Sequence, residues 1–186
     1  MRNWRSARTR RGPRTRYYNK FQPYEVKPLN DITGWVGVTD EKSYFSFRDL
    51  LASANDEVLI LTYQISLREG PKRNLVNDLV RILVSKIQKN ATVKILLNWK
   101  FKADILGIIQ DRARKILKRE GCEVRVFPVN KTLHSKLIIV DKQRVYLGSH
   151  NLTTTAMVEN AESGIIINSK EIAEYFREYF FKHWGE

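Results

Sequence analysis

From about residue 31 to residue 186 the sequence predicts an α/β domain on a mixed, largely parallel central sheet. Three observations lead there. Residues Glu57 to Tyr63 (EVLILTY), Thr92 to Asn98 (TVKILLN) and Cys122 to Phe127 are nearly continuous apolar runs, as in strands buried on both faces. The segments between them carry apolar residues at helical spacing, which gives right-handed strand–helix–strand crossovers. The last third then changes to short apolar segments joined by a tight turn.

Taken in order, Trp35 to Val38 is a short strand and Lys42 to Ala54 an amphipathic helix. Leu75, Leu79, Ile82, Leu83 and Ile87 mark a helix from about Lys72 to Lys89. Ile105, Ile108, Ile109, Ala113, Ile116 and Leu117 mark the next, ended by Gly121. Leu133 to Val140 and Arg144 to Leu147 are separated only by Asp141, Lys142 and Gln143. That is too short for a parallel crossover, so they pair as a hairpin. Ser163 to Ile167 is one more strand. Ser169 caps a final helix with Ile172, Tyr175, Phe176, Tyr179 and Phe180 as its buried stripe.

The chain has 186 residues and a net charge of +13. Eight positive charges (Arg2, Arg5, Arg8, Arg10, Arg11, Arg14, Arg16 and Lys20) precede the first acid, Glu25, which leaves five for the remainder. Residues 1–30 also carry Pro13, Pro23 and Pro28 and no periodic apolar face, so they read as a basic, flexible or partner-ordered arm. Such a balance favours a polyanion, because each phosphate neutralised releases condensed counterions. Nucleic acid is the expected partner, and an anionic membrane surface the main competitor. No apolar run reaches the roughly 18 residues of a membrane span, and the basic N-terminus lacks the apolar segment of a secretory signal. One cysteine, Cys122, excludes an intrachain disulfide, so a cytoplasmic, reducing location is the expectation.

Residues 134 to 151, HSKLIIVDKQRVYLGSHN, fit H-x-K-x-x-x-x-D-x-x-x-x-x-x-G-S-x-N at every fixed position. Six specified residues at about one chance in twenty each make accident a roughly 10⁻⁶ event for the chain. On a strand, His134 and Lys136 project from the same face. Gly148 permits close backbone approach, which brings Ser149 and Asn151 beside them. An imidazole attacks phosphorus, an ammonium neutralises a phosphoryl oxygen, and hydroxyl and carboxamide donate to the others. The set is a phosphodiester site that requires no metal or other cofactor.

This pattern resembles the signature of the phospholipase D superfamily, in one copy rather than two. The resemblance implies a phospholipase D-like α/β/α sandwich. It also implies a phosphohistidine at His134, phosphate oxygens held by Lys136 and Asn151 with Ser149 assisting, and a structural Asp141. Glu162 matches a downstream acid that orients a histidine. The single-motif form is most similar to Nuc-like and Zucchini-like endonucleases.

One motif supplies one histidine, whereas the reaction needs a neutral nucleophile and a protonated acid. His150 and His183 are not obvious acids. A twofold homodimer that brings two His134 side chains across one phosphate resolves the deficit. Two other readings stand beside the nuclease: a phospholipid phosphodiesterase or phosphatidyl transferase, and a catalytically idle nucleic-acid-binding module. A metal site of His134, Asp141, His150 and Glu162 is disfavoured by Lys136, whose ammonium repels a cation. Candidate substrate contacts are Trp99, Lys100 and Lys102, after a buried strand, and Arg68 with Lys72 and Arg73. Arg112, Arg114 and Lys115 read as a solvated helix face.

Overall fold

Each apolar run becomes a strand. The run that ends at Phe127, however, forms an edge strand, Glu123–Val126, in which only Val124 is buried, and not the expected strand buried on both faces. The computed structural model describes residues 30–68, 74–98, 105–128 and 131–185. Strand β1 (Gly34–Thr39) leads through a short 3-10 turn into helix α1 (Ser43–Ala52). Strands β2 (Glu57–Thr62), β3 (Thr92–Leu97) and β4 (Glu123–Val126) alternate with α2 (Leu75–Ile87) and α3 (Ile105–Arg119). The hairpin β5 (Leu137–Val140) and β6 (Arg144–Gly148) follows, then the short helix α4 (Thr154–Val158), β7 (Ser163–Asn168) and α5 (Lys170–Trp184). Residues 1–29 lie outside the described residues, and so do Lys72, Arg73, Trp99, Lys100 and Lys102.

The seven strands form one sheet in the order β1-β7-β6-β5-β2-β3-β4. It is mixed, as expected, but its parallel part is confined to β2–β3 and β3–β4. The other four pairings are antiparallel, which corrects the largely parallel expectation. Only the two helical crossovers α2 and α3 join strands that lie side by side and parallel in the sheet.

Helices α1, α2 and α3 pack on one face, where Phe47, Leu51, Leu79, Leu83, Ala113 and Leu117 meet Val58, Ile60, Ile95 and Ile138. Helix α5 covers the other, with Ala173, Phe180 and Trp184 against Leu59, Leu61, Leu137, Ile139 and Val145. The result is the α/β/α arrangement. The buried stripe of α5 is rotated relative to expectation: Ala173 replaces Tyr175 as an anchor, and Tyr175 and Tyr179 lie on its exposed flank. Aromatic residues occupy so wide an arc of this helix that spacing alone did not locate its centre.

Glycine at two facing positions sets the local sheet geometry. Gly148 and Gly164 are paired across β6 and β7, and the Tyr146 ring lies over Gly164. A Cβ on Gly164 would sit 2.5 Å from that ring. Tyr146 is thereby buried against Phe47, ring centroids 4.7 Å apart in an edge contact.

At the hairpin turn, Asp141 (φ 53°) and Lys142 (φ 54°) adopt left-handed conformations. The Asp141 carboxylate accepts the amides of Asn55, Asp56 and Glu57, each at 2.9 Å, and so ties the turn to the start of β2. Burial alone would raise its pKa, but the three amide donors and Arg144 outweigh burial and hold it below the ordinary 3.8.

Two outcomes follow for stability. Gly164→Ala should lower the denaturant midpoint by the equivalent of about 1–3 kcal/mol. A neutral or raised midpoint, the usual result of removing glycine from a strand, would contradict the Tyr146 packing. Asp141→Ala should cost about 2 kcal/mol or more at pH 7, where its three amides lose an ionised acceptor. Because the folded pKa is depressed, that contribution is present above the unfolded value and lost as pH falls through the folded one. The gap from wild type measured by chemical denaturation should therefore narrow below about pH 3.8. A constant gap would contradict the assignment.

Candidate active site

β2 is the point where the chain reverses its course through the sheet. Its parallel neighbour β3 lies on one side and the antiparallel, later β5 on the other. Open α/β sheets leave a crevice at the carboxyl end of such a strand. Because β5 runs opposite to β2, its amino end, carrying His134 and Lys136, arrives at that crevice.

Residues 133–136 are irregular, not the strand expected from Leu133 onward. β2 ends at Thr62, whose hydroxyl donates to the Gln64 carbonyl at 2.9 Å, so on the β2 side β5 has no ladder partner before Leu137. A buried side-chain network replaces the ladder. The Asn98 side chain accepts the Leu133 amide at 2.9 Å. Gln110, on α3, donates to the Tyr63 carbonyl at 2.7 Å and accepts the Ile65 amide at 3.0 Å. Sequence reasoning missed both positioning residues; their signal is a polar amide in an otherwise apolar stretch, at a strand end and on a buried helix face.

Within this frame His134 and Lys136 come together. Lys136 Nζ donates to the His134 carbonyl at 2.9 Å and lies 3.2 Å from Nδ1 and 3.3 Å from Nε2 of the ring. An ammonium only donates, so the ring nitrogen that it bonds accepts through a lone pair. The Tyr63 ring backs both groups, 5.1 Å from the imidazole and 5.4 Å from the ammonium, centroid distances that sequence reasoning did not anticipate. Lys136 is 7% exposed. Burial lowers its pKa, against the pull of Glu162. A partly desolvated cation of this kind gains most from an arriving anion.

The Gly148 amide donates to the Lys136 carbonyl at 3.3 Å, which brings the next residue alongside. The Ser149 hydroxyl donates to Glu162, and the Ser163 amide donates to the Ser149 oxygen at 3.1 Å. Glu162 also accepts from the Asn160 side chain at 3.0 Å. Burial acts to raise its pKa, but these two donors and the charges of His150 and Lys136 bring it below the ordinary value. Among the described residues Glu162 accepts no hydrogen bond from an imidazole of its own chain. Asn151 is half-buried, with an Oδ1 that has no partner. It lines a polar cleft of about 270 Å³ together with Arg68, whose side chain is exposed at the rim.

The remaining candidates sit apart. Asp141 is at the opposite end of β5, engaged with the β2 amides. His150 is buried against Phe47, its Nδ1 2.8 Å from the Tyr146 hydroxyl, and its Nε2 has no partner. Burial lowers its pKa, opposed by Glu162 and Asp40. His183 packs between Phe127 and Tyr179. Arg112 and Lys115 are exposed and Arg114 half-buried, with Arg114 and Lys115 paired to Asp111. Among the described residues no three histidine, cysteine or acidic side chains converge as metal ligands, and no helix is long and apolar enough to cross a membrane.

Residues 47–184 match the family described as "Cardiolipin synthase, PLD-like domain". A protein named phospholipase D from Rickettsia conorii is 42% identical over 60 residues, 32% of this chain and 30% of the relative. The virion nicking-joining enzyme of vaccinia virus is 25% identical over 158 residues, 80% of this chain and 36% of the relative. The chain thus spans about a third of the length of these curated relatives. In fold it resembles Nuc from Salmonella typhimurium, a phospholipase D family member, with a TM-score of 0.68 at 22% identity over 81% of this chain and 93% of Nuc. With the match extending from α1 through α5 over the His134–Asn151 motif, the chain belongs to the phospholipase D-like family.

Proposed function

We propose that this protein is a metal-independent phosphodiesterase that cleaves DNA or RNA as an endonuclease, through a phosphohistidine at His134 in a site completed by a second copy. The observation that carries the reading is the buried Lys136 ammonium held against the His134 ring. In the proposed reaction His134 attacks phosphorus as a P–O ester bond breaks. Lys136 and Asn151 hold the non-bridging oxygens, Ser149 assists, and the leaving oxygen takes a proton from His134 of the partner subunit. Water then gives a proton back to that histidine and attacks the phosphohistidine, which frees His134. Glu162, whose own-chain bonds go to Ser149 and Asn160, is free to orient the incoming imidazole.

An exposed apolar band supports the second copy. Trp35 is 69% exposed, Leu147 is 41% exposed, and Ile165 lies between their strands on the same sheet face. The band begins one residue before Gly148, so a twofold contact there lies beside an incomplete site. Nucleic acid is favoured as substrate by the net charge of +13 and by the name of the nicking-joining relative. The basic arm, residues 1–30, is proposed to add phosphate contacts, as are Arg68, Trp99, Lys100 and Lys102. Phosphatidyl chemistry is the second reading, favoured by the names of the matched family and of the Rickettsia relative.

One experiment separates these readings: labelled DNA, RNA and phosphatidyl vesicles, each incubated in excess chelator with wild type and with His134→Ala. Wild type should cut nucleic acid in chelator, and the variant should lose at least about 10⁴-fold in rate while still binding. A strict requirement for added magnesium, or retained cleavage by the variant, would contradict the mechanism. Cleavage of vesicles alone would replace the substrate.

A further inference from the structure

Beside Asn151 the surface opens into a cleft of about 270 Å³ whose lining contains no aliphatic or aromatic residue. Its walls come from the loop after β2 (Gln64, Ser66 and Arg68) and the segment entering α4 (Thr153, Thr154, Thr155). These two segments are bound to each other. Leu152 donates to the Gln64 carbonyl and Ser66 to the Leu152 carbonyl, both at 3.0 Å. Some lining groups are committed to holding the walls. Asn74 caps α2 through its Oδ1 and donates to the Thr154 hydroxyl at 3.2 Å, and Thr153 caps α4. The Gln64, Ser66 and Thr155 side chains make no hydrogen bond to any other described residue, so an amide and two hydroxyls face the cleft uncommitted. Arg68 stands at the mouth with its main chain clamped by Asn77, at 3.1 Å through the amide and 2.6 Å through the carbonyl.

We propose that this cleft is a nucleoside subsite, which takes the sugar and base flanking the scissile phosphate while Arg68 meets the next phosphate along the strand. The inference rests on the phosphodiesterase reading above and specifies its substrate class. Three physical arguments support it. The cleft shares Asn151 with the candidate phosphate-binding set, so a group seated in it lies next to the position proposed for the phosphate. Its volume is just under the roughly 300–1,000 Å³ of pockets for drug-sized ligands, which suits one nucleoside rather than a longer segment. Its lining also discriminates. Acyl chains placed here would strip water from amides and hydroxyls without replacing the hydrogen bonds, whereas hydroxyls and a base edge pair with them. The one charge in the lining is positive, as a polyanionic strand requires.

The test is the double variant Gln64→Leu/Thr155→Val, which preserves volume and removes two uncommitted polar groups. Its kcat/KM is compared with wild type on a short oligonucleotide, on the same oligonucleotide with abasic positions flanking the scissile bond, and on bis(p-nitrophenyl) phosphate. The last is a phosphodiester with no nucleoside. The variant should lose about tenfold or more on the intact oligonucleotide. On the other two substrates it should stay within about twofold of wild type. Equal losses on all three would overturn the inference, because the lining would then only support Asn151. An unchanged rate on the intact oligonucleotide would also overturn it, while leaving the nuclease reading standing. A wild type that hydrolyses bis(p-nitrophenyl) phosphate and phosphatidyl vesicles but no oligonucleotide would overturn both.

Discussion

The antiparallel register of β5 against β2, with Leu61 opposite Leu137 and Val58 opposite Val140, determines where the site groups stand. At one end it delivers His134 and Lys136 to the Tyr63 ring, just past the carboxyl end of β2. At the other it delivers Asp141 to three successive amides at the start of β2. A slip of one residue would turn Ile138 and Val140 away from the face covered by α1, α2 and α3 and put Lys136 on the wrong side of the sheet. The aspartate of the motif thus acts at a distance from the other motif residues. It holds the strand that holds the histidine.

The same logic explains the glycine and the buried histidine of the motif's second half. Gly148 lies opposite Gly164, and their lack of side chains admits the Tyr146 ring close to the sheet. Tyr146 then engages His150 from below. With His150 drawn inward, its neighbours Ser149 and Asn151 are presented outward, toward Glu162 and the polar cleft. Asn98 holds the irregular stretch before β5 through Leu133, and Gln110 holds the loop after β2 through Tyr63 and Ile65, which completes the frame. Chemistry of the proposed kind needs such rigidity, because the phosphate must meet a nitrogen, an ammonium and two donors in one geometry.

Much of this was legible in the amino-acid pattern. The strands show as apolar runs, the hairpin follows from a three-residue turn, and the two-residue spacing of His134 and Lys136 anticipates their approach. The sheet's direction was misjudged because continuous apolar runs report burial on both faces, not the orientation of the neighbour. β5 is buried on both faces and antiparallel on both sides. The centre of the α5 stripe was missed because aromatic residues with polar edges tolerate exposure, as Tyr175 does at 68%. Asn98 and Gln110 were missed because a buried amide shows its worth only once its backbone partners, distant in sequence, are known. The uniformly polar cleft was missed for the same reason, since its walls come from segments far apart in the chain.

The central claim is that one chain holds half of a catalytic site. It is tested most directly by mixing wild-type and His134→Ala subunits, exchanging them under mild denaturant, and measuring nuclease activity against the wild-type fraction. If both histidines are needed across one phosphate, activity falls as the square of that fraction. Activity that falls in simple proportion would mean that each subunit carries a complete site, and would contradict the account.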